Sequence, residues 1–546
     1  MGKLEHVETP VLIVGGGPVG FALALDLAWR GQRSMLVERE AGTALGLLAK
    51  ATGLHERTIE MCRRWGIAGR VQAAGFPQDF PGDSVYATSL DGYVLGRSAI
   101  PSTSEREAPA ETPVKRLRCP QYEFDPLLAR AVAERGLTDV RYGAAVESLE
   151  QDADGVTVTI AEADTGRRYT CRAEYVVACD GAGSTLRRTV GVPFEGEMLD
   201  FSLSAMIRIP ALDLPKELQG GERYILIGPE GAWAVLVSVD GREIWRLTVV
   251  GSQERLNPAT FDMDVQIRRA LGEGVPYERR SVAPWRRSQC AAATFRVGRV
   301  LLAGDSAHTM SPTGGHGLNT GIGDVSDLGW MLTALVEGWG GEGLLHAYDL
   351  ERRPVAIRNA TSATANYHGQ VSRNECKHVL DPGSVGQDAR EHIGKRLVDS
   401  LASEWYTLGI DLGFRYEGSP IIVPDGTPPP PDDPTNYLPT ARPGHRAPHA
   451  WLADGRSTLD LFGRGFVLLR FGAATEQTGP ADDQLQREAE RIGMPLSVVD
   501  IAEPEIAQAY EQRLVLVRPD GHVAWRDSQA PEDVPGLLDT IRGVSR

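Results

Sequence analysis

Cysteine is scarce and scattered. There are six in 546 residues (62, 119, 171, 179, 290 and 376), with no Cys-x-x-Cys pair and no metal-type spacing to histidine. That excludes a disulfide framework, and the absence of any cysteine after Cys376 excludes thiol redox chemistry in the rest of the chain. The thiols read as reduced and mostly buried, as in a cytosolic protein. Positive charge is also in short supply. Lys and Arg number 57 against 73 Asp and Glu, a formal net charge of -16, which argues against nucleic acid or an anionic membrane as partner. A few local cations can still hold an anionic ligand. Long apolar runs are missing too. Met1 to His6 carry no secretory h-region and no Ser or Thr at position six for myristoylation. Val11 to Trp29 approaches membrane-spanning length but contains Gly15-Gly16-Gly17-Pro18 and Asp26. A soluble chain of two to four domains is expected.

That apolar stretch has a better reading. Val11-Leu12-Ile13-Val14 has the continuous hydrophobicity of a strand buried on both faces. Gly15-Gly16-Gly17-Pro18-Val19-Gly20 follows as G-x-G-x-x-G, then a helix to about Arg30 stopped by Gly31, then a strand Ser34 to Val37 ending at Glu38. Gly15 permits the tight turn, Gly17 lets the backbone approach a pyrophosphate, and Gly20 lets helix pack on strand. The helix N-terminus supplies free N–H groups, and Glu38 can accept hydrogen bonds from a ribose. This is a dinucleotide site, for FAD or NAD. Gly338-Trp339-Gly340-Gly341-Glu342-Gly343 matches the same pattern but follows a helix, and reads as a helix stop and loop.

Two later segments bear on the choice of dinucleotide. Tyr175 to Cys179 is a strand leading to Asp180-Gly181-Ala182-Gly183-Ser184. Arg299 to Ala303 is another, leading to Gly304-Asp305-Ser306-Ala307-His308 and then Ser311-Pro312-Thr313-Gly314-Gly315-His316-Gly317-Leu318-Asn319. Ile322, Val325, Leu328, Leu332 and Leu335 then recur at helical spacing. A glycine-rich loop at a helix start can stabilise negative charge on a reduced flavin ring, and Asp305 is placed to take ribityl hydroxyls.

In their order, these three motifs resemble those of the group A flavoprotein aromatic hydroxylases, the family of para-hydroxybenzoate hydroxylase and phenol hydroxylase, over about residues 8 to 370. The resemblance implies a Rossmann-like α/β FAD-binding domain with an inserted, mainly antiparallel sheet as substrate domain. Gly15, Gly17, Gly20 and Glu38, with Arg39 beside it, would bind the ADP half of FAD. Lys50 would stand near the pyrophosphate, Gln121 would contact the flavin, and Asp180 would serve FAD and NAD(P)H. Asp305 would hold the ribityl chain, Gly315, Gly317, Leu318 and Asn319 would line the isoalloxazine, and Pro312 would stand by its oxygen-reacting face. Two positions depart from the family. His316 stands where Gln, Lys, Arg or Phe is common, as an ionisable group over the flavin or a packing histidine. Thr52 stands where phenol hydroxylase has a catalytic Asp, so His55 is the candidate for the substrate-deprotonating base.

Strand-like runs between about 196 and 285 suggest the antiparallel sheet, which in the family roofs the substrate pocket. Tyr224, Trp233 and Trp245 are candidates to face an aromatic ring there, or to pack in a core. Pro424 to Pro431 reads as an extended linker, within a connecting segment 421–435. Residues 436–546 resemble the thioredoxin-like C-terminal domain of the phenol and polyketide hydroxylase branches, as a structural or subunit-contact domain that leaves a homodimer open. The expected activity is hydroxylation of a small phenolic substrate with NAD(P)H and O2 through a flavin C4a-hydroperoxide. The alternatives are a hydroxylase of a polycyclic polyketide or antibiotic, and, from another class, a non-catalytic flavin sensor or scaffold.

Overall fold

The computed structural model describes residues 5–43, 51–368, 373–400, 404, 406–472 and 482–545. The first sheet is built where the sequence is most continuously apolar. Its parallel strands run in the order Val300–Leu302, Arg168–Ala178, Glu5–Val14, Ser34–Val37, Thr138–Arg141. Val11, Leu12 and Ile13 are wholly buried, as a strand covered on both faces requires. The helices Pro18–Arg30 and Gln121–Arg135 pack against this layer, and helix His316–Val336 packs on Pro18–Arg30. The segment Gly338–Glu342 is a loop, pinned by hydrogen bonds from Gly341 and from Gly343, where the next helix starts, to carbonyls of Arg542 and Gly543.

The second sheet is larger than the 196–285 span suggests. Strands Phe194–Arg208 and Glu278–Ala292, each 15 residues long, carry the chain out from the first domain and back. Between them lie Gly221–Gly228, Gly231–Ser238 and Ile244–Ser252, and the remote segments Asp83–Ala87 and Val94–Ser98 extend the edge. Neighbours are antiparallel except Asp83–Ala87, which runs parallel to Gly221–Gly228.

Side-chain parity along these strands favours the core-packing reading of the three aromatics. Tyr224, Trp233 and Trp245 are all buried in a core with Leu203, Ile207, Leu247 and helix Met263–Leu271. The Tyr224 hydroxyl donates to Leu218 O at 2.7 Å, and Arg269 lies over the Trp233 ring at 3.9 Å. The rings fill the side of the sheet that lies under helix Met263–Leu271. Arg223 and Arg246, one residue away, point to the other side because successive side chains alternate.

Beyond the helix Gly343–His368, residues 424–431 form a strap without helix or strand. It is anchored rather than free. Arg526 donates to Asp425 at 2.6 Å, Arg442 to Thr427 O at 2.8 Å and Arg415 to Pro430 O at 2.6 Å. The C-terminal unit has a four-stranded sheet in the order Leu496–Ile501, Phe466–Phe471, Leu514–Val517, Val523–Asp527, with helices Asp482–Arg491, Pro504–Tyr510 and Val534–Ile541. No described helix is long and apolar enough to cross a membrane.

Candidate active site

The dinucleotide cradle sits at the C-terminal ends of the parallel strands. Gly15 adopts φ +111°, and a Cβ there would lie 2.3 Å from Cys179 O. A Cβ on Gly20 would lie 1.9 Å from Gly15 O, so no side chain fits at either position. Gly17 is different, because a Cβ there would meet nothing within 4 Å. Its bareness answers to no protein neighbour, which is what close approach of a pyrophosphate requires. Gly17→Val is therefore expected to leave the thermal midpoint of the apoprotein almost unchanged and to abolish flavin retention. Gly20→Val should lose both. Equal loss of apoprotein stability in the two variants would contradict this division.

Glu38 ends the second strand and accepts from Gly16 N at 2.5 Å and Glu40 N at 2.8 Å, holding the carboxylate beside the glycine turn. Arg39 is exposed and pairs with Glu40 at 3.3 Å. Lys50 lies outside the described residues. Asp180 caps the short helix Thr185–Thr189 through Oδ2 (Thr185 N at 2.8 Å), while its buried Oδ1 has no hydrogen-bond partner among the described residues. Asp305 stands exposed after strand Val300–Leu302. Beneath it the buried Asp324 accepts from Gly304 N at 3.0 Å and Arg352 Nε at 2.9 Å and meets His308 Nε2 at 2.8 Å. Burial opposes that charge, but His308 and Arg352 hold the Asp324 carboxyl below its ordinary range. Gln121 begins its helix with its amide donating to Asp125 at 3.1 Å.

The Ser311–Asn319 loop turns where Gly315 N donates to Pro312 O at 3.0 Å, with Gly314 and Gly315 both at positive φ. Pro312 and Gly315 are exposed on the turn, and the helix begins at His316. Gly317 and Leu318 occupy its first turn, partly exposed. The Asn319 amide is fully engaged. Its oxygen accepts from His55 N (2.9 Å) and Thr58 Oγ1 (2.7 Å), and its nitrogen donates to Gly53 O (3.2 Å) and Gly315 O (2.7 Å). The side chain is thus a strut joining this helix to the 53–58 segment, and only its backbone is left to line a flavin.

The strut places His55 against the turn. A Cβ on Gly315 would lie 3.2 Å from His55 Nε2. On its other side, His55 Nδ1 is 2.7 Å from Asp411 Oδ1, and both side chains are buried. Asp411 Oδ2 accepts from Thr407 Oγ1 at 2.6 Å and lies 3.4 Å from Arg116 Nη2. Burial works against the Asp411 charge, yet His55, Arg116 and His316 hold its carboxyl well below the usual range. An ionised Asp411 fixes a proton on His55 Nδ1 and leaves Nε2 facing the turn. His55, His316 and Asp411 bring ligand-type atoms within 4.8 Å of one another. With both Asp411 oxygens already hydrogen-bonded and Arg116 alongside, the group is better suited to moving a proton than to holding a cation.

His316 lies edge-on to His55, ring centroids 5.4 Å apart, with its Nδ1 3.9 Å from Asp411 Oδ1, and neither of its nitrogens has a hydrogen-bond partner among the described residues. Burial pushes it down to about 3. Below its unfolded value of about 6.5 the unfolded chain binds a proton that the folded chain refuses, so this residue costs stability progressively as pH falls from 7 toward 3. In the apoprotein, His316→Phe is expected to remove about 1–2 kcal/mol of the stability lost between pH 7 and pH 5. Stability curves that run parallel for the variant and the parent across that range would contradict it.

Asp411 is the site residue that the sequence did not disclose. It lies on a five-residue helix, Leu408–Leu412, in no motif and 356 positions from His55. Arg118 is a second. It donates to Thr52 Oγ1 at 3.0 Å and also to Glu222, tying the Thr52 position to the second sheet.

Comparison with known proteins agrees with this geometry. A family model described as FAD binding domain matches residues 8–363, and one described as aromatic-ring hydroxylase, C-terminal, matches residues 440–544. A putative polyketide hydroxylase of Streptomyces halstedii is 33% identical over 98% of this chain and 96% of its own. The 2,4-dichlorophenol 6-monooxygenase of Delftia acidovorans is 31% identical over 99% of this chain and 98% of its own. Among solved structures, the rebeccamycin biosynthetic enzyme RebC soaked with chromopyrrolic acid and holding 7-carboxy-K252c superposes with a TM-score of 0.88. It is 38% identical and covers 99% of this chain and all of that one. The glycine cradle, the open approach at Gly17 and the Asp305 loop fit FAD, and the family's chemistry uses NAD(P)H and O2. The chain belongs to the FAD-dependent aromatic-ring hydroxylases, as a flavoprotein monooxygenase with the family's C-terminal domain.

Proposed function

We propose that this monooxygenase hydroxylates a phenolic ring borne on a polycyclic aromatic acid, with His55 as the base that takes the phenolic proton. Bound FAD, reduced by NAD(P)H, supplies an electrophilic oxygen atom from O2. The observation that carries the reading is His55 Nε2 directed at the Pro312–Gly315 turn while Asp411 holds the other ring nitrogen. A phenolate pushes electron density to its ortho and para carbons, so removing that proton activates the ring. Asn319 and Asp411 together fix the imidazole, which makes the proton transfer a matter of position rather than search.

The acid and the ring count rest on the other face of the second sheet, which helix Ser384–Ser400 covers in part. Arg223 and Arg246 project there, and Arg118 lies close. Burial, with Arg223 and Arg118 near, pushes the Arg246 guanidinium down to about 10. Glu222 pairs with Arg118 and Glu404 with Arg223. A cluster of guanidinium groups suits a carboxylate, and the solved relative RebC, soaked with chromopyrrolic acid, holds 7-carboxy-K252c. A small phenol remains the simpler reading, favoured by the likeness to the dichlorophenol enzyme. The strand order of the C-terminal unit supports a thioredoxin-like domain with a structural role. The test is NADH and NADPH oxidation by the flavin-loaded protein with one-ring phenols, fused-ring phenols and their carboxylates. Stimulation greatest with the fused acids is expected. Stimulation by one-ring phenols alone would return the substrate to the small class.

A further inference from the structure

A second cationic cavity lies away from the flavin loop, between helix Glu56–Trp65 and the C-terminal unit. It measures about 150 Å³ and is lined by Trp29, Arg57, Arg63, Arg64, Asp460 and Phe462, with Glu60 and Gly521 also on its wall. We propose that this cavity is a binding site for a small oxyanion of the phosphate class, held by Arg57, Arg63 and Arg64.

The acids around the cavity are already engaged. Glu60 accepts from Arg57, Arg446 and Thr112. Asp460 takes two bonds from Arg63, each at 2.8 Å, and one from Ser457 N. The nearest other acids are also engaged: Asp26 with Arg30 and Trp65, and Asp520 with Arg518, Trp330 and His522. Arg64 has no such partner. Among the described residues it makes no hydrogen bond and no ion pair, and its Nη1 is buried. Arg57 Nε and Arg30 Nη2 are likewise buried without partners.

The geometry gathers these groups on one point. A Cβ on Gly521 would lie 3.9 Å from Arg64 Nη2 and 4.0 Å from Arg57 Nη2, so both guanidinia flank the same glycine. Burial, with Arg57 and Arg30 close by, pushes Arg64 down to about 10. Water can fill the space and satisfy N–H groups, but it brings no negative charge, and a partly buried cation without an ion-pair partner among the described residues is costly. A tetrahedral oxyanion supplies charge and several acceptors at once, in the geometry that guanidinium groups match. Arg63 is 37% exposed, which gives the cavity a route to solvent. The occupied site would bridge the FAD-binding and C-terminal units.

The experiment is thermal unfolding of the flavin-loaded full chain and of Arg64→Met. Inorganic phosphate is titrated against chloride at constant ionic strength. The parent is expected to gain a saturable rise of roughly 3–5 °C, while the variant shows only the small, unsaturable shift that any excluded salt produces. In chloride alone the variant should be at least as stable as the parent, because it has lost an unanswered charge. Parallel phosphate responses, or none in either protein, would overturn the proposal. Should Arg64→Met fail to fold, calorimetric titration of phosphate into the parent decides. One site per chain is expected, and no binding heat overturns the idea.

Discussion

Arg518→Met is expected to cost the folded chain about 3–5 kcal/mol, a large part of the stability of an ordinary protein. Arg518 is wholly buried and donates to both oxygens of Glu351, at 2.6 and 2.8 Å, and to Asp520. Glu351 lies on helix Gly343–His368 of the first domain, whereas Arg518 and Asp520 lie in the turn between C-terminal strands Leu514–Val517 and Val523–Asp527. The network continues inward. Trp330 Nε1 donates to Asp520 at 3.2 Å, and Tyr416 O–H donates to Asp327 at 2.7 Å. Asp327 is pushed up to about 8 by burial and by Asp520, so the region already carries one carboxyl that resists ionisation. Removing Arg518 strands Glu351 and Asp520 as well. The sign of the double substitution is informative. Glu351→Leu with Arg518→Met should recover part of the loss, since it removes one of the two stranded carboxylates. Denaturant unfolding of Arg518→Met, Glu351→Leu and the double variant measures this. A single Arg518→Met that costs less than about 1 kcal/mol would show that the C-terminal unit is held by its apolar contacts alone.

His55→Ala is expected to lower the rate of product formation by about 10²–10⁴-fold, the range of a positioned general base, while FAD binding and its spectrum stay intact. Asp411→Asn should act in the same direction but less, because it perturbs the imidazole rather than removing it. The double variant should be little worse than His55→Ala, since both changes act through one ring. The losses should shrink with substrates whose phenol is already ionised at the assay pH. Product formation followed by chromatography, alongside NAD(P)H consumption, separates a lost base from a lost cofactor. Unchanged product yield in His55→Ala would remove His55 from the chemistry.

The parts legible in the sequence were those where backbone and cofactor geometry dictate residue type locally. The glycines at 15, 17 and 20, the strands that end at Val37 and Ala178, and the Gly304–Asn319 run are short-range demands that few residues can meet. Strand positions in the second sheet were also legible, but the facing of Tyr224, Trp233 and Trp245 was not. Bulges at 221/223 and 226/227 shift the register there, and an aromatic residue suits a core as well as a pocket. Segment 83–98 joins that sheet by a parallel pairing across the fold, which local pattern does not show. Asp411 reaches His55 from a five-residue helix beyond the first domain. Nothing in its neighbourhood distinguishes it from an ordinary surface acid until the chain is folded.

The most direct test of the account is turnover of the flavin-loaded enzyme under ¹⁸O₂ with NAD(P)H and a phenolic polycyclic acid, read by mass spectrometry of the product. The account predicts one labelled oxygen on the aromatic ring, with product formed in step with NAD(P)H consumed. NAD(P)H oxidation that yields only hydrogen peroxide across the phenols tried, or product whose new oxygen comes from water, would contradict it.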